Sequence, residues 1–140
     1  MSFREKSAWI SFVLLLVMAG IWAWTVVQMA NGQLEPRRML WIAHDVLLAF
    51  VVLQIVLHGV IFLQAPRDAR TPKDERERLI ELRATRIAFY VLVVGALLSI
   101  WISHVPGIGD RGMGHGIISS VLLAWLVKLG GEIIYYRRGV

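Results

Sequence analysis

Four apolar runs, each of membrane-crossing length, limit this chain more than any other feature of its sequence. They cover residues 8–30, 40–64, 87–104 and 115–136. A helix needs about 20 mostly apolar residues to cross a hydrocarbon core of about 30 Å. Inside a bilayer only helices and closed barrels satisfy every backbone amide. A barrel reads as alternating segments of about ten residues, whereas the run from Val13 to Trp24 is continuously apolar. The expected fold is all-α: a single-domain integral membrane four-helix bundle over residues 1–140, its third helix extended into the cytoplasm.

Composition agrees. The chain is 57% hydrophobic and 18% charged, against about 45–50% and about 25% in soluble domains. It has no cysteine, which removes disulfides, thiolate metal sites, thiol nucleophiles and lipidated anchors. The first run follows Arg4 and Lys6 but is longer than the apolar core of a signal peptide. Gln28-Met29-Ala30 is not a small-x-small cleavage site. It reads as a retained span.

Loop charge sets orientation. The N-terminal stretch, the loop at 65–86 and the C-terminal Arg137-Arg138 carry eleven Lys and Arg. The opposite loops carry three, Arg37, Arg38 and Arg111. The positive-inside rule then places both termini and the long loop in the cytoplasm. The net charge of +5 points to anionic lipid headgroups rather than nucleic acid. Trp9, Trp22, Trp24, Trp41 and Trp101 stand near the run ends as an aromatic belt, while Trp125 lies deeper, where it would pack between helices.

The connections carry local signals. Asn31-Gly32 suits a helix stop, and Pro36 the first turn of the next helix. Thr71-Pro72-Lys73-Asp74 reads as an N-cap, a first-turn proline and an acidic residue. The third helix is therefore expected from near Pro72, projecting three to four turns from the membrane. Asp74, Arg78, Glu81 and Arg83 lie on this projection, with Asp74–Arg78 and Arg78–Glu81 at helical spacings. They form a candidate surface for a cytoplasmic protein partner or lipid headgroups. Gly107-Ile-Gly-Asp-Arg-Gly112 matches G-x-G-x-x-G but follows a membrane helix, so it reads as a tight turn and not as a nucleotide loop. Gly95, Ser99 and Ser103 on the third helix, and Gly116, Ser120 and Ala124 on the fourth, recur every four residues. Small residues so spaced let membrane helices approach closely. Homo-oligomerisation is also expected, since four spans leave much helix surface unpaired.

Ionisable groups at membrane depth are functional candidates by default. His44, Asp45, His104 and His115 are expected near the outer face; His58 and Glu132 near the inner one, with Lys128 snorkelling towards it. His44 and His58 are separated by fourteen residues, so they share a helix face about 21 Å apart. That spacing resembles the paired haem ligands of membrane b-type cytochromes, but the inner site lacks a second histidine. A single outer haem b, held by His44 with His104 or His115, is one alternative. A divalent metal on His44, Asp45, His104 and His115 is another. The simplest account needs neither: these groups hydrogen-bond between helices, with Lys128 and Glu132 paired at i,i+4. No catalytic constellation is visible, so an enzyme is not expected. A small transporter is a further alternative, although no span is interrupted at mid-membrane.

The opening Phe3-Arg-Glu-Lys-Ser-Ala-Trp-Ile-Ser-Phe12, the stretch Asp74-Glu-Arg-Glu-Arg-Leu-Ile80 and the closing Tyr135-Tyr-Arg-Arg-Gly139 resemble a family of small uncharacterised four-span bacterial inner-membrane proteins. The resemblance implies a multi-pass protein of the bacterial inner membrane and brings no activity or catalytic residues with it.

Overall fold

A computed structural model describes residues 3–64, 74–104 and 109–138. Four helices fill these segments: α1 (Phe3–Ala30), α2 (Pro36–Gln64), α3 (Glu75–Ser103) and α4 (Gly109–Arg138). Among the described residues there is no strand. Each helix has 28 to 30 residues, a length of about 42–45 Å at 1.5 Å per residue. All four are long and apolar enough to cross a membrane, and the protein is an all-α, multi-pass membrane protein.

The α1–α2 corner forms where the sequence signals it. Gly32 has φ +70°, and it is the only positive φ among the described residues. The Gln33 amide donates to the Gln28 carbonyl (2.9 Å) and the Gly32 amide to Met29 (3.0 Å). These two bonds are the pair that closes a helix around a left-handed residue. Two residues later Glu35 opens α2, its carbonyl accepting from the Met39 amide at 3.1 Å, with Pro36 at the first helical position.

The other two helix starts differ from expectation. The cap of α3 is Asp74: its carboxylate accepts from the Glu75 amide (2.7 Å), and Glu77 accepts from the Asp74 amide (3.2 Å). This reciprocal box satisfies amides that no preceding turn reaches. The expected cap at Thr71 and Pro72 lies outside the described residues. From Glu75 the helix runs unbroken into the apolar span, so about three turns stand beyond it, as the charged sequence suggested. The fourth helix begins at Gly109, six residues ahead of the expected His115, so Gly109, Gly112 and Gly114 are helical rather than a turn. A helical glycine costs about 1 kcal/mol relative to alanine, a bias that favours a turn locally without forbidding the helix.

The helix backbones pack in the order α2, α1, α4, α3. Among the described residues α2 approaches only α1 closely, and α3 only α4. Long side chains alone bridge α2 and α4, as where Phe50 meets Trp125 with ring centroids 6.5 Å apart. The apolar centre is Leu15 and Met18 of α1 with Leu122 of α4, covered by Trp22, Val46 and Phe50. Burial follows this order: 22% of the apolar window of α4 is buried, against 6% of that of α2. The rest of each helix surface is available to lipid.

The α3–α4 seam uses the expected small residues in a matched antiparallel register. A Cβ placed on Gly95 would lie 2.5 Å from Ser120 Oγ, and one on Gly116 would lie 2.5 Å from Ser99 Oγ. Each serine faces the other helix's glycine while donating to its own helix's: Ser99 to the Gly95 carbonyl, Ser120 to that of Gly116, both at 2.7 Å. The hydroxyls are thus satisfied without water in a contact that leaves Ser99 3% and Ser120 7% exposed. Further along, a Cβ placed on Gly131 would lie 3.4 Å from that of Ala84, carrying the seam into the part of α3 beyond the apolar run. At the end where α1 starts and α4 finishes, called here the terminal end, Arg137 reaches Glu5 (3.8 Å) and lies 5.2 Å from the Trp9 ring centroid.

Candidate functional site

At the terminal end the polar cluster joins α1 to α2. His58 Nδ1 lies 2.8 Å from the Gln54 carbonyl, which can only accept, so Nδ1 carries a proton. Nε2, the other ring nitrogen, is hydrogen-bonded with Ser7 Oγ at 2.8 Å. Ser11 Oγ, 3.4 Å from the same nitrogen, donates to Gln54 Oε1 at 3.2 Å. Ser7 and Ser11 were not anticipated from the sequence. The signal for them exists: two hydroxyls four residues apart in α1 match Gln54 and His58 four apart in α2, counted from the same end. To ligate a metal through Nε2, His58 would have to give up Ser7. Lys128 and Glu132 form the expected i,i+4 pair at 3.5 Å.

At the opposite end the histidines are distributed rather than gathered. His44 Nδ1 lies 3.3 Å from Asp45 Oδ1, both side chains well exposed at 62% and 75%, and the His44 ring meets Trp41 edge-on at 6.2 Å. His115 stacks on Trp22, with centroids 5.7 Å apart and planes 28° apart, and its Nε2 is 3.0 Å from Met39 Sδ. His104 caps α3, and its Nδ1 donates to the Ile100 carbonyl at 2.9 Å. Since α3 packs only on α4, His104 is held away from His44 on α2. Among the described residues no three histidines or carboxylates come together as a group able to hold a metal ion.

Between α1, α2 and α4 at this end lies a half-enclosed cavity of about 370 Å³. Its walls include Met18, Trp22, Ala43, His44, Leu47 and Leu122. Thr25 also lines it, but its hydroxyl already donates to the Trp22 carbonyl at 2.7 Å. The indole of Trp22 is fixed twice, by the stack on His115 and by Nε1–H donating to Ser119 Oγ at 3.0 Å. The cavity is therefore an apolar space with one rigid aromatic wall and one imidazole. Sequence reasoning picked out His44 and placed Trp22 in the belt; it had no way to find the space between them.

The third candidate surface is the part of α3 beyond the apolar run. Ile80 and Ala84 are buried, whereas Arg76, Arg78, Leu79, Leu82, Arg83 and Arg86 are exposed. Of the residues expected to form a docking surface, Arg78 and Arg83 face outwards. Asp74 is engaged as the helix cap, and Glu81 sits half-buried on the flank.

Comparison of the chain with family models, with curated proteins and with solved structures finds no match.

Proposed function

We propose that this is an inner-membrane protein of a bacterium that acts by contact rather than by catalysis, with anionic lipid headgroups as the partner of its extended third helix. The observation that carries this reading is the outward face of α3 beyond the apolar run. Four arginines and two leucines are exposed there together with one helical carboxylate, Glu75, while Glu77 and Glu81 are less exposed. Exposed leucines flanked by arginines match an interfacial surface, in which apolar side chains enter the headgroup boundary and guanidiniums pair with phosphates. Juxtamembrane basic residues of this kind contribute about 1 kcal/mol each on an anionic leaflet. The eleven-to-three division of Lys and Arg supports a cytoplasmic location for this helix and both termini.

The test is lipid retention by the full chain. Protein released from bilayers of equal anionic and zwitterionic phospholipid is analysed by native mass spectrometry. Wild type is expected to keep anionic lipid preferentially, and the triple variant Arg78→Gln, Arg83→Gln, Arg86→Gln to lose the preference. Equal retention by both would overturn the lipid reading. Loss of a co-purifying protein with lipid retention intact would replace it by a protein partner. Because the chain has no cysteine, one introduced at Glu75 and probed with an impermeant maleimide reports the side of the membrane directly.

A further inference from the structure

At the terminal end a second space lies on α4, and unlike the cavity at the other end it has charged and hydrogen-bonding side chains at its mouth. Helices α1 and α3 both pack on α4, and among the described residues they do not approach each other. The gap between them is an open groove of about 580 Å³, walled by Phe12 of α1 and Ile87 of α3. Its floor is Gly130 and Gly131, and it runs along α4 from Leu126 to Arg138, about 18 Å at 1.5 Å per residue. The glycines keep it open: a Cβ on Gly130 would lie 3.4 Å from the Phe12 ring, and one on Gly131 as close to Ala84.

Size and charge select the occupant. A helix with its side chains is about 10–12 Å across, so 18 Å of one fills roughly 1,400–2,000 Å³, more than twice the groove. An acyl chain is narrower, and bare glycine backbone leaves it room. At the mouth stand Tyr135 and Arg138. Arg137 is engaged by Glu5 and the Trp9 ring, whereas among the described residues Arg138 and the Tyr135 hydroxyl have no partner. Arg83 is exposed and stands one turn from Ile87 on the same side of α3. The register of Gly116 with Ser99 and of Gly131 with Ala84 puts Tyr135 level with Ile80. Arg83 and Arg138 then lie about 4.5 Å to either side of that level along the helices, three residues at 1.5 Å each. Two guanidiniums and a hydroxyl bracketing one level match a phosphate, the group that arginine pairs with best. Basic pockets between membrane helices on the cytoplasmic side take acidic phospholipid headgroups in this way.

We propose that the groove seats one anionic phospholipid, its acyl chain over Gly130 and Gly131 and its phosphate beside Tyr135, between Arg83 and Arg138. The inference rests on the lipid reading of α3 given above and narrows it from a basic face to a site for a single molecule.

Photolabelling of the full chain in nanodiscs tests this. The probes are phosphatidylglycerol and phosphatidylcholine, each with a diazirine near the end of one acyl chain, and labelled residues are mapped by mass spectrometry. In wild type the phosphatidylglycerol label is expected to concentrate between Leu126 and Ile134 and to exceed the phosphatidylcholine label there. Arg138→Gln is expected to lower groove labelling by phosphatidylglycerol about fivefold, the equivalent of about 1 kcal/mol per basic residue at an anionic lipid surface, and to leave phosphatidylcholine unchanged. Ile87→Trp, at an exposed position, fills the groove and is expected to remove labelling by both, with circular dichroism confirming that the variant folds. Label spread evenly over the lipid-facing surfaces of the four helices overturns the groove. In that event a preference for anionic lipid that the α3 triple variant still abolishes keeps the broader lipid reading, and its absence removes both. Groove labelling equal for the two lipids and unchanged by Arg138→Gln overturns the headgroup assignment. Groove labelling that falls as protein is raised relative to lipid gives the groove to a second copy of the chain and overturns the lipid site.

Discussion

The α3–α4 seam and the α1–α2 contact solve one problem in opposite ways. Lipid removes the hydrophobic drive between helices, so association rests on close packing and hydrogen bonds. In the seam, glycine and serine bring the backbones together and each hydroxyl is spent on its own helix. Between α1 and α2 the order is reversed: hydroxyls of Ser7 and Ser11 cross from one helix to the other at the terminal end. Towards the other end the cavity opens. Close packing leaves no space, whereas a pair latched at one end is looser at the other.

The sharpest way to break the comparison is to enlarge a seam glycine. Gly95→Leu places a side chain where even a Cβ would be 2.5 Å from Ser120 Oγ. It is expected to cost about 3 kcal/mol or more, read as a lowered midpoint of unfolding in mixed micelles. The smaller change Gly95→Ala should be partly rescued by Ser120→Gly, and failure of that rescue would refute the register. Next in size is the latch. His58→Leu is expected to cost about 1–2 kcal/mol, and a double-mutant cycle with Ser7→Ala should return a coupling of about 0.6 kcal/mol, the average for hydrogen bonds inside membranes, and at most about 1.7 kcal/mol. A coupling of zero would remove the latch from the account. Least of all, Arg137→Ala breaks a 3.8 Å pair whose arginine side chain is 64% exposed, together with its contact on the Trp9 ring. Screening and exposure limit the expected change to within about 1 kcal/mol, so a larger loss would show that this end contributes more than its contacts suggest.

The sequence made legible whatever depends on a helix by itself. Run lengths set the spans, Asn31-Gly32 and Pro36 set the corner, and the four-residue repeat of small residues identified the faces of the seam. It was silent on whatever needs two helices at once. Periodicity shows that Gly95 and Ser99 share a face, but not that Ser120 and Gly116 face them. Ser7 and Ser11 look like ordinary polar residues near a helix start until α2 brings Gln54 and His58 to their level. The glycines at 109, 112 and 114 misled for the converse reason, because local preference suggested a turn where the chain is helical. The cavity had no sequence signal, since a space belongs to no residue.

The packing order also sets a schedule. A chain is made from its N-terminus at about 5–20 residues per second, so α3 is complete before α4 has been synthesised. Thirty-five residues separate Ser103 from Arg138, an interval of about 2–7 s at those rates. During it α1 and α2 can already latch, while the Gly95–Ser99 groove faces lipid without its partner. The last helix to arrive is the one that touches both α1 and α3, and until it does the nascent protein is two separate pieces sharing one bilayer.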